Sequence, residues 1–254
     1  MEITKIETYE IMDVCLLAGK IMLQSGAETY RVEDTMIRIA KSLGVNETQS
    51  YVTPTGIIFS VEDGEPTKTK LIRIMDRTTD LKKVTLVNSI SRQISNNELD
   101  SKEAFSMLKA IEASDFSFSF IARILASAVA SGCFLIMFKG GWPDVVPAMI
   151  SGGIGYFSVV YFHKVVPIKF FSEFLAAFFI GLIAFLSVKM GIGQELDKII
   201  IGSVMPLVPG LLLTNAVRDL MAGHLVSGLS KGAEALLTSF AIGSGIAVIL
   251  SVFL

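Results

Sequence analysis

The fold is decided by Met205-Pro-Leu-Val-Pro-Gly-Leu-Leu-Leu-Thr-Asn-Ala-Val-Arg-Asp219, a stretch that begins inside a long apolar segment. Pro206, Pro209 and Gly210 interrupt that segment, because proline lacks an amide proton and its ring clashes with the preceding helical turn. Backbone carbonyls near residues 202–206 would lose their helical partners, and lipid cannot satisfy them. The pattern predicts a broken membrane helix whose interruption is buried in protein or faces a wet cavity. A kink that serves packing alone is the alternative.

Polar side chains follow the break within about three helical turns. A broken membrane helix beside such side chains is a strong sequence indication of a transporter's binding site. Arg218 offers a charged planar fork suited to a carboxylate, although an ordinary cytoplasmic anchor is the competing interpretation. Thr214 and Asn215 can supply neutral hydrogen bonds, and Asp219 can orient Arg218 or couple to protons. The predicted substrate site comprises Pro206, Pro209, Gly210, Thr214, Asn215, Arg218 and Asp219.

Composition divides the chain into two parts. The 254 residues have a mean hydropathy of +0.61, which is too apolar for an ordinary soluble protein. Most of the charge lies before about residue 115. We predict an α-helical polytopic membrane protein in which a small α+β cytoplasmic domain, residues 1–115, precedes a transmembrane domain, residues 116–254. The net charge of −2 and the lack of a basic stripe give no nucleic-acid signal.

About 20 apolar residues are needed to cross the hydrocarbon core of a bilayer. Five transmembrane helices are therefore predicted, over about residues 120–138, 145–162, 170–188, 198–217 and 234–253. The charged N-terminal domain and the absence of a signal-peptide pattern favour a cytoplasmic N-terminus, with a slight lysine and arginine bias in the same direction. His224, at a cytoplasmic end, is either a proton-responsive switch or an ordinary hydrated histidine.

The first 115 residues show both helical and strand patterns. Helices are predicted over about residues 4–23, 26–43, 79–94 and 100–113. Capping-box patterns mark two of their starts, Ser25 with Glu28 and Asp100 with Glu103. Residues 49–61 and 67–75 are rich in β-branched side chains and flank Glu62-Asp-Gly-Glu65, so they predict one hairpin. Pro54 inside the first strand suggests an edge position or a bulge.

The soluble half also carries candidate site residues. Glu28, Arg31 and Asp34 recur at three-residue spacing and can share a helix face, and an ordinary solvated helix face is the alternative interpretation. Glu33 and Thr55 complete a possible gating or small-molecule site. This half contains no histidine and matches no nucleotide-binding, hydrolase or metal motif. No catalytic residue, metal site or cofactor is therefore predicted.

Three groups of residues resemble the threonine/serine exporter family, and in particular its short, two-component branch. They are Leu23-Gln-Ser-Gly-Ala-Glu-Thr-Tyr-Arg-Val-Glu33; Pro54-Thr-Gly-Ile57 with Asp63-Gly64; and Pro206-Leu-Val-Pro-Gly210 with Thr214-Asn215 and Arg218-Asp219. The resemblance implies export of small amino or dicarboxylic acids across a bacterial cytoplasmic membrane. It also implies a second small membrane subunit, because fused members have about twice as many spans and this chain resembles their N-terminal half. A homo-oligomer is a further possibility.

Two other functions remain open on the sequence. A membrane-anchored enzyme would use the soluble half on a small metabolite, with Glu28, Arg31 and Glu33 as its candidate residues. A regulatory domain would instead sense cytoplasmic cargo and bias the membrane half. The absence of a nucleotide-binding motif favours energy from the cargo gradient or the proton gradient for any transport.

Overall fold

The computed structural model describes residues 5–62, 67–166, 168 and 170–253. Its chain forms two compact units. The N-terminal unit comprises residues 1–117 and 211–232, and the helical unit comprises residues 118–210 and 233–254. The sequence places residues 211–232 in the transmembrane domain, whereas the structure groups them with the N-terminal unit, where their polar side chains find buried partners.

The N-terminal unit contains four helices and a three-stranded sheet in addition to the 211–232 segment. Its elements are α1 Lys5–Gln24, α2 Thr29–Ser42, β1 Thr48–Thr53, β2 Gly56–Val61, β3 Lys68–Arg73, α3 Leu81–Ser95 and α4 Ser101–Ala113. The α1 helix packs against α2, α3, α4 and β2, which explains why it buries residues on most of its surface. Its side chains Met12, Cys15 and Met22 are completely buried, so α1 is the centre of the core.

The sheet differs from the predicted hairpin. Its strand order is β1-β2-β3, antiparallel throughout, so the single strand predicted over residues 49–61 is two strands. Thr53 pairs with Gly56, which leaves Pro54 and Thr55 as a two-residue turn. Proline has a fixed φ and no amide proton, so it ends β1 and starts the turn. The predicted turn over Glu62–Glu65, with Asp63-Gly64, falls almost entirely outside the described residues.

One of the two predicted capping boxes is confirmed. The Asp100 side chain accepts a hydrogen bond from Glu103 N–H, and the Glu103 carboxylate accepts one from Asp100 N–H. The box predicted from Ser25 and Glu28 is wrong, because α2 begins at Thr29 and Glu28 makes no side-chain cap. The Glu28 carboxylate binds arginine side chains instead, and another carboxylate serves the start of α2.

The helical unit holds the apolar helices. Its elements are α5 Phe120–Met137, a 3-10 turn Trp142–Asp144, α6 Val145–Val165, α7 Phe171–Lys189, α8 Leu196–Val204, a 3-10 turn Met205–Leu207 and the later part of α10 Leu225–Phe253. By length and composition, four helices among the described residues can each cross a membrane. A fifth span requires α8 and α9 Gly210–Met221 together. These counts confirm a polytopic membrane protein with a small α+β part.

The predicted interruption of the fourth span lies between the second 3-10 turn and α9. Val208 has extended backbone angles, as expected for a residue that precedes proline. The α8 helix has nine residues and its 3-10 turn has three. They span roughly 20 Å at about 1.5 to 2 Å per residue, which is less than the ~30 Å hydrocarbon core. The first half of the broken span is therefore too short to cross a membrane alone.

Small residues set the close packing of α5, α6 and α7. A Cβ on Gly152 would lie 1.9 Å from Ser131 Oγ, and a Cβ on Gly155 would lie 2.4 Å from Ile180 Cδ1. The Ser127 hydroxyl donates to the Gly152 carbonyl at 3.1 Å. These small residues therefore lie at contacts between helices, which is how helix interfaces pack in lipid.

Replacing Asp144 by alanine will destabilise the helical unit. Asp144 is 1% exposed and its carboxylate accepts hydrogen bonds from Gln194 N–H at 2.6 Å and Glu195 N–H at 3.2 Å, just before α8. Loss of the acceptor leaves two backbone donors unpaired, at a cost of about 1–3 kcal/mol. Thermal unfolding of the detergent-purified protein measures this loss. The exposed Asp197→Ala variant is the control, and equal melting temperatures for the two variants would contradict the assignment.

Candidate functional site

The predicted site residues fall in both units. Pro206, Pro209 and Gly210 belong to the helical unit, and Thr214, Asn215, Arg218 and Asp219 lie on α9 within the N-terminal unit. The candidates Glu28, Arg31 and Glu33 lie at the start of α2 in that same unit. The N-terminal unit therefore brings seven of the predicted residues onto α9 and the start of α2, and the site described below is confined to it.

The α9 helix buries one face, and that face carries the polar residues. Asn215, Ala216 and Asp219 are buried, at the one- and four-residue spacing of a single helical face. The Asn215 amide donates a hydrogen bond to the Gly26 carbonyl at 2.9 Å. Gly26 has a φ of +89°, a conformation that glycine adopts without steric cost. The turn between α1 and α2 therefore presents a backbone acceptor to α9.

Asp219 completes the start of α2. Its carboxylate is completely buried and accepts hydrogen bonds from both the N–H and the hydroxyl of Thr29, each at 2.9 Å. The first amide groups of a helix lack partners within the helix and favour a negative charge. A residue 190 positions away therefore supplies a charged acceptor at the start of α2.

Lys231 neutralises this buried carboxylate. Its ammonium lies 2.7 Å from Asp219 Oδ2 and 3.1 Å from the Thr29 hydroxyl, and it lies 3.5 Å from the Ala27 carbonyl. The two charged side chains are 4% and 0% exposed. Burial of an ion pair is favourable only when its remaining hydrogen-bonding capacity is met, and Thr29 and Ala27 meet it here. The contacts assign Asp219 to Thr29 and Lys231, and Arg218 takes its partner elsewhere.

Arg218 pairs with Glu28. Arg218 Nη1 lies 2.5 Å from Glu28 Oε1, and Arg31 Nε lies 3.5 Å from Glu28 Oε2. The Glu28 side chain is 8% exposed, whereas those of Arg218 and Arg31 are 53% and 42% exposed. Burial alone would raise the pKa of Glu28, but a backbone hydrogen bond, the Arg218 hydrogen bond and the two guanidinium charges together lower it. Glu28 is thus an ionised carboxylate that holds two arginines side by side.

Replacing Glu28 by glutamine will make the melting temperature of the protein depend less on pH in the acid range. Because the folded pKa lies below the ordinary value of 4.5, ionised Glu28 stabilises the fold above that pH, and this contribution is lost as the pH falls through the folded pKa. The wild type should therefore lose more thermal stability than the variant below about pH 4.5. Melting temperatures measured across that window, with the exposed Glu47→Gln variant as a charge-matched control, test this. Parallel profiles for wild type and Glu28→Gln would contradict it.

Glu33 connects β1, α2 and the turn after α9. Its carboxylate accepts a hydrogen bond from Val52 N–H at 2.8 Å and lies 3.7 Å from His224 Nδ1. Burial raises the pKa of Glu33, with a smaller contribution from the charge of Asp219, and this outweighs the opposing effects of Val52 N–H and His224. The Ser227 hydroxyl donates to the Val52 carbonyl at 3.1 Å. The N–H of Val52 is therefore bound by Glu33 on α2, and its carbonyl is bound by Ser227 on α10.

Thr55 lies apart from these contacts, at the β1–β2 turn. It is exposed, and its hydroxyl is 3.5 Å from that of Thr53. The two threonines line an open cleft of about 290 Å³ together with Arg73. Across the described residues, no group of three or more histidine, cysteine, aspartate or glutamate side chains is arranged to hold a metal ion.

Sequence reasoning missed three polar residues of the site: Thr29, Ser227 and Lys231. The available signal was weak, since Lys231 interrupts the apolar segment that becomes α10 and can be interpreted as a simple membrane-edge charge. The predicted fifth span begins near residue 234, whereas α10 begins at Leu225. Gly223 has a φ of +88° and follows the end of α9. No proline follows Gly223 in the sequence, so α10 can begin at Leu225 and include Ser227 and Lys231.

The apolar helices and the broken span define a multi-pass membrane protein. The chain belongs to the threonine/serine exporter family, because residues 13–253 match the family model described as a putative threonine/serine exporter. The resemblance found in the sequence is thereby confirmed.

Individual relatives are of two lengths. The chain is 26% identical to a probable succinate transporter subunit, YjjP, of Klebsiella aerogenes, over 100% of this chain and 98% of that protein. It is also 26% identical to the protein of the same name in Escherichia coli, over 94% of this chain and 93% of that protein. It is 23% identical to a threonine/serine exporter of Corynebacterium glutamicum, over 93% of this chain but 50% of that protein. No solved structure shows significant similarity.

Proposed function

We propose that this chain is one subunit of a two-component secondary exporter that moves small carboxylates, either succinate-like dicarboxylates or threonine and serine, across the bacterial cytoplasmic membrane. The observation that carries the proposal is the share of each relative's length that this chain covers. The chain aligns almost end to end with proteins named as transporter subunits, yet it matches only half of a longer exporter. A partner that supplies the missing half accounts for both alignments.

The proposed partner is a second small membrane protein that resembles the C-terminal half of the longer exporters. A half with five spans has its termini on opposite sides of the membrane, so a second such half would have inverted topology. That is a common construction of secondary transporters, whose binding sites lie between the two repeats at interrupted helices. The break at Pro206, Pro209 and Gly210 is the interrupted helix in this subunit. A homo-oligomer of this chain is the simpler alternative.

Arg218 is proposed as the contact for the cargo carboxylate, with Asn215 and Thr214 nearby on α9. Support comes from its partial exposure, since 53% of the side chain reaches solvent while Glu28 holds one edge of the fork. A guanidinium can bind a carboxylate through two parallel hydrogen bonds. Asp219 is assigned to the internal pair with Lys231 and so supports α9 without touching cargo. The N-terminal unit is proposed to face the cytoplasm, where cargo accumulates before export.

One observation also favours a regulatory role for the N-terminal unit. The residues that connect the two parts of the helical unit in the sequence, 211–232, take their buried hydrogen-bond partners from α2, β1 and the turn before α2. Cargo that binds near Arg218 would therefore stabilise one arrangement of this connection. Regulation of this kind is compatible with export, and deletion of residues 1–115 would expose it only if the remaining helices stayed inserted.

Efflux from cells tests the proposed function. Cells loaded with labelled succinate and labelled threonine would express this chain alone, or together with a membrane protein encoded by a neighbouring gene. Efflux of one label only in the paired cells supports a two-component exporter and identifies its cargo. Efflux from this chain alone supports a homo-oligomer. If neither label leaves any cells faster than the vector control, the proposed cargoes are rejected.

A further inference from the structure

The charged cluster at the α2–α9 contact is asymmetric. Its three carboxylates, on Glu28, Glu33 and Asp219, are 8%, 17% and 0% exposed. The buried ammonium of Lys231 is already bound to Asp219. The two guanidiniums of Arg31 and Arg218 are about half exposed. The solvent-facing part of the cluster is therefore cationic, although its formal charges balance.

Glu28 fixes the relative position of the two arginines. Each of its carboxylate oxygens contacts a different guanidinium, at 2.5 Å for Arg218 and 3.5 Å for Arg31. A guanidinium has five N–H donors in a rigid plane, so one contact to Glu28 leaves most of each fork directed elsewhere. Two forks held on one carboxylate present a larger set of donors than either arginine alone.

We propose that Arg31 and Arg218 together form one anion subsite, and that this subsite selects dicarboxylates over zwitterionic amino acids. The inference rests on the proposed function and names its substrate class. A carboxylate of succinate would meet two guanidiniums, whereas the ammonium of threonine, about 3 Å from its own carboxylate, would meet the same positive charge. Of the cluster's carboxylates, Glu28 and Asp219 are buried and Glu33 is mostly covered. The remaining exposed carboxylate on this helix, Asp34, is paired with Arg38.

Arg38 provides a matched control for Arg31. It lies two helical turns further along α2, its side chain is 43% exposed against 42% for Arg31, and it also pairs with a carboxylate. Arg31→Gln and Arg38→Gln therefore remove the same charge from the same helix at equal exposure. Of these two arginines, Arg31 alone contacts Glu28, the residue that Arg218 also binds.

Binding of succinate and of threonine to the full-length chain in nanodiscs of uncharged lipid tests the subsite by calorimetry. The wild type should bind succinate at least tenfold more tightly than threonine. Arg31→Gln should weaken succinate binding about tenfold, the size of one charge-assisted hydrogen bond, while Arg38→Gln stays within twofold. Arg31→Lys should recover only part of the loss, because an ammonium cannot reproduce the fork.

Two results would overturn the subsite. One is equal succinate affinity for the Arg31→Gln and Arg38→Gln variants, and the other is threonine binding as tight as succinate binding. Absence of succinate binding by the wild type also rejects it. Efflux by cells that express both proteins is measured independently. If efflux is intact but any of these three results is obtained, the exporter proposal stands and only the proposed Arg31–Arg218 subsite is rejected.

Discussion

Replacing Arg218 by glutamine will reduce efflux at least tenfold while the chain continues to insert in the membrane. The neutral amide keeps similar length but loses the charge and the planar fork, and a charge-assisted hydrogen bond to cargo contributes about 1.5–3 kcal/mol, which corresponds to roughly a 10- to 100-fold change in affinity. Initial efflux rates at several internal cargo concentrations measure the effect. Loss of cargo affinity should appear as a higher half-saturating concentration.

The Arg218 variant also removes one partner of buried Glu28, so its stability must be followed in parallel. Arg31 remains at 3.5 Å from the carboxylate, and we therefore expect the variant to fold. Arg38→Gln serves as the charge-matched control. Efflux by Arg218→Gln equal to that of Arg38→Gln, at matched membrane levels, would remove Arg218 from the cargo site.

Replacing Lys231 by methionine will destabilise the N-terminal unit by about 3–5 kcal/mol, because it leaves the completely buried Asp219 without its counter-ion. Thermal unfolding of the detergent-purified chain measures it. The exposed Lys102→Met variant has the same change in charge and should melt close to the wild type.

A second substitution distinguishes charge from packing. In the double variant Lys231→Met with Asp219→Asn, the amide oxygen can still accept a hydrogen bond from Thr29, and no buried charge is left uncompensated. The double variant should therefore be more stable than Lys231→Met alone. Additive losses from the two substitutions would show that Lys231 contributes through packing and would contradict the ion-pair assignment.

Local patterns in the sequence predicted much of the fold. Pro206, Pro209 and Gly210 marked the interruption because their backbone restrictions act on immediate neighbours. The Asp100 capping box was predicted correctly for the same reason, since its two partners are three residues apart. Pro54 was misplaced, because a proline flanked by β-branched residues is equally compatible with a strand edge and a two-residue turn.

The site needed information that local patterns do not contain. Glu28 and Arg218 were both candidates, but nothing in either neighbourhood indicates that residues 190 apart form an ion pair. Ser25 and Glu28 have the spacing of a capping box, yet Asp219 occupies that role at the start of α2 and leaves Glu28 for the arginines. Such long-range contacts are visible only once α9 is packed against α2.

The placement of residues 211–232 has a consequence for transport. Residues 211–232 are held to the rest of the N-terminal unit by the hydrogen bond from Thr29 N–H to Asp219 and by hydrogen bonds from Asn215 and Ser227. The residues proposed to bind cargo and the residues that stabilise the N-terminal unit therefore alternate on one short helix. Substitutions at Asp219 should impair transport through folding, whereas those at Arg218 should impair it through cargo affinity.

Transport by purified protein tests whether this chain and its partner together move succinate through a site that contains Arg218. The chain and its co-expressed partner would be reconstituted in liposomes loaded with unlabelled succinate, and uptake of external labelled succinate by exchange would be followed. We expect exchange that requires both proteins and falls at least tenfold in Arg218→Gln but not in Arg38→Gln. Exchange that is unchanged in Arg218→Gln, or absent from liposomes that contain both folded proteins, would contradict this expectation.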